Sequence, residues 1–424
     1  MTVSIKNKDK ICKSLSGRVL IPSSKSEAHR YIICASLADK PTEIRVNSIS
    51  SDIAATVDCM RALGAGITET EYGFKIEPIA ECVKNPCLRC RDSGSTLRFL
   101  LPVAASLGAD AEFFMEERLP DRPLYPLDEE MKNHGCTLRK EGSRLFCSGA
   151  MRGNSYKIAS NISSQFISGI LMALPVLDGG TIELTGKTES KKYIEMTVCA
   201  MRAFGVTVDI NNSVITVSGK YKSPGSLAVG GDWSGAACWL CAGALSDEGI
   251  TCVGLDINSA QGDRRILDVL RDMGADVKIN SDAVTVSRAE LRGIAVNAED
   301  IPDLVPVIAA LAARADGVTK ITGAARLRIK ESDRIESTSC ILNALGADVK
   351  EEIDGLTIVG NPSVKELDGG MVDSFRDHRI AMSAALASLF CEEDVTVTNA
   401  EVVSKSYTDF WHDFESLGGK ITIE

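Results

Sequence analysis

An α/β protein built from six copies of one βαβαββ unit, three to a domain, is the fold class that this sequence predicts. Three observations carry it. An apolar helix end, a glycine and an alternating strand recur at Leu63-Gly64, His134-Gly135, Phe204-Gly205, Met273-Gly274, Leu345-Gly346 and Leu417-Gly418, with successive glycines 71, 70, 69, 72 and 72 residues apart. After five of the six glycines, alternating residues run around a turn, at Tyr72-Gly73, Glu141-Gly142, Asn211-Asn212, Asn280-Ser281-Asp282 and Asp354-Gly355, which predicts a hairpin in each unit. About forty residues before each glycine lies a helix of small apolar residues, at 31–37, 99–107, 166–174, 236–245, 305–313 and 380–390. These are apolar on nearly every side and are expected to be buried all round.

The remaining elements follow in order. Each recurrent glycine falls where a helix end needs a left-handed backbone that a side chain would penalise. The helix before it, such as 266–273, is amphipathic and belongs nearer the surface. The sixth unit has one strand, 420–424, instead of a hairpin, and residues 3–6 are the candidate partner. That pairing ties the N-terminus to the last unit, so the chain crosses twice between domains, near Gly17 to Leu20 and near Gly230 to Asp232. The expected domains are 20–231 and 1–19 together with 232–424, with buried helices behind mixed sheets.

Composition bounds the function. At 424 residues, two domains are the natural expectation, and 44% hydrophobic with 25% charged residues is that of a soluble globular protein. With 47 basic against 58 acidic residues, the net charge of −11 argues against nucleic acid or an anionic membrane as a partner. Residues 1–10 are polar, without the apolar core of a signal peptide, and no apolar run reaches the ~18 residues of a bilayer span, so a cytoplasmic protein is expected. The fourteen cysteines then read as reduced thiols. Cys87/Cys90 and Cys238/Cys241 have C-x-x-C spacing, but with four histidines in the chain and none near either pair they read as packing. No glycine-rich nucleotide loop occurs, which argues against ATP and NAD.

The chemistry gathers at helix starts. Buried helices are preceded by Ser23-Ser24-Lys25-Ser26-Glu27-Ala28-His29-Arg30, Asp92-Ser93-Gly94-Ser95-Thr96-Leu97-Arg98, Ser163-Ser164-Gln165, Asp303 and Asp377-His378-Arg379. Second helices add Arg122-Pro123, Ser190-Lys191-Lys192-Tyr193, Lys330-Glu331-Ser332-Asp333-Arg334 and Ser404-Lys405. Read as the opening of a helix, the Lys330 cluster puts Lys330 and Arg334 at i,i+4 and Glu331 within reach of Arg334 at i,i+3, with Ser332 or Asp333 as the cap. Free N–H groups at a helix start suit phosphate oxygens, and Lys and Arg add charge-assisted bonds. A single serine cluster is an ordinary cap, but basic residues at equivalent places in several repeats of an acidic protein suggest a pocket for a small polyanion.

Together, Ser24-Lys25-Ser26 with Arg30, Asp92 through Arg98, Ser163-Ser164-Gln165-Phe166, Lys330 through Arg334 and Asp377-His378-Arg379 resemble the EPSP synthase family, the 3-phosphoshikimate 1-carboxyvinyltransferases. The resemblance spans essentially the whole chain. It implies two domains closing on substrate in a cleft between them, transfer of the enolpyruvyl group of phosphoenolpyruvate to the 5-hydroxyl of shikimate 3-phosphate, and no metal or cofactor. The partners implied are these two small molecules alone, with a monomeric chain. By the family pattern, Lys25, Gly94, Arg122, Gln165, Arg334, Arg379 and Lys405 hold phosphoenolpyruvate, and the second domain is its side. Lys25, Ser26, Arg30, Ser163, Ser164, Gln165, Ser190, Asp303, Arg326 and Lys330 hold shikimate 3-phosphate.

The reaction also moves protons on and off a methylene carbon. Asp303, a lone carboxylate opening an apolar helix, is the candidate base. The alternative, an N-cap worth about 1 kcal/mol, stays open. Glu331 and Lys25 are candidate proton carriers, and the sequence does not divide these roles. His378 is read as orienting its neighbours, and His29, His134 and His412 as structural. Asp92 and Arg326 stand where better-known members carry Asn, and Lys192 where they carry Pro. Two rivals remain. One is the sister transferase acting on UDP-N-acetylglucosamine, whose reactive cysteine has no counterpart between Glu112 and Arg122. The other is a non-catalytic anion-binding repeat protein, which would have no need of Asp303 and Glu331 beside the basic residues.

Overall fold

The computed structural model of the chain describes residues 1–7, 15–360 and 366–424. It forms two compact units, a continuous one, Ser23–Val229, and a discontinuous one, Met1–Pro22 with Gly230–Glu424. Each has its own apolar core. Repeat by repeat, the helices are α1 (Lys25–Ser36) and α2 (Ser51–Leu63), α3 (Gly94–Ser106) and α4 (Leu127–Asn133), α5 (Ser164–Ala173) and α6 (Lys191–Ala203), α7 (Trp233–Gly243) and α8 (Ile266–Met273), α9 (Val305–Ala312) and α10 (Arg334–Ala344), α11 (His378–Ser388) and α12 (Phe410–Ser416).

The odd-numbered helices are the buried ones, and every residue of α7, α9 and α11 is out of water. Small side chains permit this, because a helix enclosed on all sides has room only for residues that let its neighbours approach. The even-numbered helices show one face to solvent. In α8, Ile266, Leu267, Val269, Leu270 and Met273 are buried while Asp268, Arg271 and Asp272 are exposed. All six recurrent glycines, 64, 135, 205, 274, 346 and 418, have left-handed φ between +76° and +112°, which is why no other residue stands there.

Among the described residues, six four-stranded sheets lie against these helices, three in each unit. In the third repeat, Ser155–Ala159 runs parallel to Gly180–Thr185, which is antiparallel to Val214–Ser218, and Thr207–Asn211 closes the edge. Two sheets borrow their first strand from a distant stretch: Ser226–Ala228 pairs with Thr42–Arg45, and Gly17–Leu20 pairs with Ile250–Val253. In the last repeat Val3–Ile5 lies antiparallel between Val395–Thr398 and Ile421–Ile423, taking the place of the missing hairpin strand. The hairpin turns sit at Glu71-Tyr72, Gly142-Ser143, Asn212-Ser213, Ser281-Asp282 and Ile353-Asp354, so the four expected pairs are each displaced by one residue and the expected three-residue turn contains the observed one. Gly73 and Gly355 are the reason for two of these shifts. They begin strands, where a Cβ would come within 2.2 Å of Ile44 O and 1.9 Å of Ile321 O.

Cys238 and Cys241 lie inside α7, where burial pushes both thiols up, that of Cys238 to about 12. Among the described residues no helix is long and apolar enough to cross a membrane.

Candidate active site

In the discontinuous unit the chemistry converges on Arg334, the first residue of α10 and 1% exposed. Its Nε and Nη2 donate to the two oxygens of Asp377 at 2.8 and 3.2 Å, its Nη1 to Asp303 at 2.8 Å and its Nη2 to Glu331 at 3.0 Å. Four charge-assisted bonds to three carboxylates fix the guanidinium plane. Arg334 is held well above its usual value: burial works against the cation, and Asp377, Glu331 and Asp303 outweigh it.

The expectation that Lys330 to Arg334 open the helix together is corrected here. Asp333 is the cap, accepting from the backbone N–H groups of Ile335 and Glu336, both at 3.1 Å, so α10 begins only at Arg334. Lys330, with an extended backbone, and Glu331 reach the cluster from the preceding loop. A loop lets Lys330 face Asp303, 3.6 Å away, while Glu331 faces Arg334. Arg328, bonded to Asp333 at 3.0 Å and to the backbone O of Glu352 at 2.8 Å, braces that loop.

Asp303 is also not a helix cap. It lies in the 3-10 turn Pro302–Leu304, and α9 starts at Val305 without a side-chain cap, unlike α1, α3, α5, α7 and α11, which Ser24, Ser93, Ser163, Asp232 and Asp377 cap. Its carboxylate turns instead to Arg334, Lys330 and, at 4.0 Å, Arg379. Burial would raise its pKa, but Lys330, Arg334 and Arg379 together hold it well below the carboxylate range. The Lys330 ammonium is lowered by burial, with Asp303 opposing the shift.

Asp377 is fully buried and ties the cluster to α11, accepting from Arg379 N at 2.9 Å and from Ser332 Oγ at 3.1 Å. Arg379, 4% exposed, donates through Nη2 to Ser234 Oγ at the start of α7. Its Nε and Nη1 are buried without a hydrogen-bond acceptor, beside a cavity of about 10 Å³ lined by Ser234, Cys238, Asp303 and Ser383, among others. Buried unpaired donors on a cation are costly, which marks them as positions for an anion or a water. His378 is 1% exposed, its Nδ1 3.7 Å from Asp377. Lys405, 3% exposed, ends the 3-10 helix Ala400–Lys405, and Arg326 donates to Glu299 O at 3.0 Å.

The continuous unit holds the second group. Gly94 is the first residue of α3, and a Cβ there would lie 2.6 Å from Arg122 Nη1 and 2.8 Å from Arg98 Nη1. Arg98 donates to Gln165 Oε1 at 2.8 Å and to Pro123 O at 3.1 Å, while Gln165 Nε2 donates to Ser95 Oγ at 2.9 Å. Gly94, Arg122 and Gln165 are therefore neighbours. Lys25 pairs with Asp52 at 3.1 Å. Arg30 uses its guanidinium within the protein, on Ser26 O, Thr197 Oγ1 and Tyr193 O at 2.6, 2.7 and 3.1 Å, with its face on Phe99, and burial lowers it to about 10. Ser163 caps α5, Ser164 is buried, and Ser190 precedes α6 in a left-handed conformation, 2% exposed.

Three residues of this group were not assigned from the sequence. Arg98 and Ser95 stood within a quoted motif, and their contacts to Gln165, across 67 and 70 residues, appear only in the fold. Asp52 gave no signal beyond a carboxylate in the first turn of a helix, an ordinary complement to the helix dipole.

Comparison with known proteins then places the chain. The family model described as EPSP synthase (3-phosphoshikimate 1-carboxyvinyltransferase) matches residues 10–414. A 3-phosphoshikimate 1-carboxyvinyltransferase of Clostridium kluyveri is 42% identical over 414 residues, 96% of each chain. One of Clostridium acetobutylicum is 40% identical over 418 residues, again 96% of each. Among solved structures, an EPSP synthase from Acinetobacter baumannii superposes over the whole of both chains with a TM-score of 0.81 at 25% identity. An enolpyruvyl transferase from Streptomyces tendae shares the fold, with a TM-score of 0.77 at 20% identity over 99% of this chain and 98% of its own. With its six repeats and the Arg334 cluster already in view, the chain belongs to the EPSP synthase family.

Proposed function

We propose that this protein transfers the enolpyruvyl group of phosphoenolpyruvate to the 5-hydroxyl of shikimate 3-phosphate, giving 5-enolpyruvylshikimate 3-phosphate and phosphate. The observation that carries the reading is the Arg334 cluster, in which Asp303 and Glu331 stand among Lys330, Arg334 and Arg379, and Arg379 keeps two buried N–H donors without an acceptor. Carboxylates placed against these cations can accept and carry protons, which a protein that only bound anions would not need.

In this reading the 5-hydroxyl oxygen attacks C2 of phosphoenolpyruvate as the methylene carbon takes a proton. The C2–O bond to phosphate then breaks, and the same carbon gives a proton back. Asp303 accepts the hydroxyl proton, and Glu331 and Lys25 carry protons at the methylene carbon. Lys25, Gly94, Arg122, Gln165, Arg334, Arg379 and Lys405 serve phosphoenolpyruvate. Lys25, Ser26, Arg30, Ser163, Ser164, Gln165, Ser190, Asp303, Arg326 and Lys330 serve shikimate 3-phosphate. Both substrates are anions that repel one another, so fixed cations are what the reaction needs most. The reading assigns no metal or cofactor and takes the protein as a cytoplasmic monomer. The acidic balance of −11 supports the absence of a nucleic-acid partner.

Phosphate release from phosphoenolpyruvate, measured with EDTA present, tests the proposal. Release is expected with shikimate 3-phosphate and not with UDP-N-acetylglucosamine. The reverse result moves the protein to the sister activity, and no release with either leaves an anion-binding protein.

Gly94→Ala provides a finer test. The new methyl group would push the Arg122 and Arg98 guanidiniums aside, at little cost to folding because both are ends of flexible side chains. A displaced charge-assisted bond predicts a rise of about tenfold in KM for phosphoenolpyruvate, with a smaller rise in KM for shikimate 3-phosphate through the Arg98–Gln165 bond. Equal rises in both constants would remove Gly94 and Arg122 from the phosphoenolpyruvate site.

A further inference from the structure

Two rungs join α1 to α2. Lys25 Nζ stands 3.1 Å from Asp52 Oδ2, and one helical turn further on His29 Nδ1 stands 2.6 Å from Thr56 Oγ1. Each helix supplies an i,i+4 pair, Lys25 with His29 and Asp52 with Thr56, so one face of α1 is read against one face of α2. The second rung continues inward. Thr56 Oγ1 is 2.7 Å from Thr96 Oγ1 in α3, and Thr96 Oγ1 donates at 2.8 Å to Ser93 Oγ, the cap of α3 and the neighbour of Gly94. His29, Thr56, Thr96 and Ser93 are all fully buried, and the His29 ring stands edge-on to Phe99.

The line is rigid along its hydroxyls, since Thr56, Thr96 and Ser93 are each bonded on two sides and none can turn without leaving a neighbour unpaired in a medium that does not forgive it. It sets the relative position of the three helix starts that carry Lys25, Asp52 and Gly94. The Lys25–Asp52 rung lies at the open end of this line, with the ammonium 12% and the carboxylate 4% exposed. Pairs so removed from water are a weak means of stabilising a fold, because desolvation offsets the attraction. What such a pair does well is hold a flexible ammonium in one direction.

We infer that Asp52 is a positioning residue for Lys25, and that the His29–Thr56–Thr96–Ser93 line fixes the helix register in which it works. The inference rests on the proposed role of Lys25 in binding phosphoenolpyruvate and carrying protons. Asp52 touches neither substrate in this account. It acts by limiting where the Lys25 ammonium can go.

The test is steady-state phosphate release by the full chain carrying Asp52→Asn or Asp52→Glu, with thermal unfolding of each. Asparagine keeps the shape and removes the charge. A misdirected reacting group predicts a loss of about 10- to 100-fold in kcat, with KM for shikimate 3-phosphate within about threefold. Asp52→Glu, which restores the charge one methylene further out, should recover at least about a tenth of the wild-type rate, a rescue that a purely structural pair would not require. A kcat for Asp52→Asn within about threefold of wild type overturns the inference. So does a loss that vanishes when rates are expressed per folded molecule, measured at a temperature below the melting transition of every variant. Absence of release by the unaltered protein overturns the proposed function, and this inference with it. Release by the unaltered protein beside an unaffected asparagine variant overturns this inference alone.

Discussion

Arg334→Ala is expected to lower the stability of the discontinuous unit by about 3–5 kcal/mol, the cost of leaving buried partner charges uncompensated. The reason is local. Asp377 is 0% exposed and Asp303 and Glu331 are each 17% exposed, and all three are bonded to the one guanidinium. Alanine leaves three carboxylates facing one another, with Lys330 and Arg379 near Asp303 compensating in part. For a unit of this size the loss corresponds to a fall in Tm of about 10 °C, read by calorimetry or circular dichroism. Arg334→Lys should recover little, because an ammonium is a point charge that cannot serve three carboxylates in one plane. A Tm for Arg334→Ala within about 2 °C of wild type would show that the cluster does not hold the fold together. Phosphate release by the fraction that remains folded should still be lost, since the same guanidinium is proposed to meet phosphoenolpyruvate.

Asp303→Asn is expected to behave in the opposite way, keeping the fold and binding while losing turnover by about 10²–10⁴-fold. Arg334 retains Asp377 and Glu331 as partners, so the knot survives. Removing one negative charge from among Lys330, Arg334 and Arg379 should leave shikimate 3-phosphate binding equal or tighter, which titration calorimetry would measure. Near-normal turnover would remove Asp303 as the base. The low pKa of this carboxyl fixes a second observable. Its folded value is depressed below the unfolded value of about 3.9, so the stability it contributes is present in full above that pH and lost as pH falls below it. The difference in unfolding free energy between wild type and Asp303→Asn should therefore be constant from about pH 5 to 8 and shrink below about pH 4. A carboxylate held so low is a weak base in the ligand-free protein. Two bound anions would offset Lys330, Arg334 and Arg379 and raise its proton affinity, which places its action in the complex.

The repeats were legible because they rest on local rules. A glycine at each helix end, alternation on each side of a turn and small apolar helices each act within a few residues, and Gly64, Gly135, Gly205, Gly274, Gly346 and Gly418 all have the left-handed backbone that the pattern implied. The exceptions are physical. Gly73 and Gly355 read as turn glycines, yet they begin strands, and a neighbouring carbonyl that leaves no room for a Cβ is what requires glycine there. The charges of the Lys330 cluster fit helical spacing, but of the two candidate caps it is Asp333 that accepts from Ile335 N and Glu336 N, and a cap at Asp333 leaves Lys330 and Glu331 outside the helix.

By itself, the sequence determined the six-unit α/β architecture, the buried helices and the residue types gathered at their starts, because these follow from spacing along one chain. Only the tertiary structure decided which charges meet. Beyond the Glu331 contact that the spacing already implied, Arg334 binds carboxylates 31 and 43 residues away, Lys25 binds one 27 residues away, and His29 reaches Ser93 through Thr56 and Thr96. Packing the buried helices brings such groups within hydrogen-bonding distance, and once they are out of water the energy of each depends on its partner.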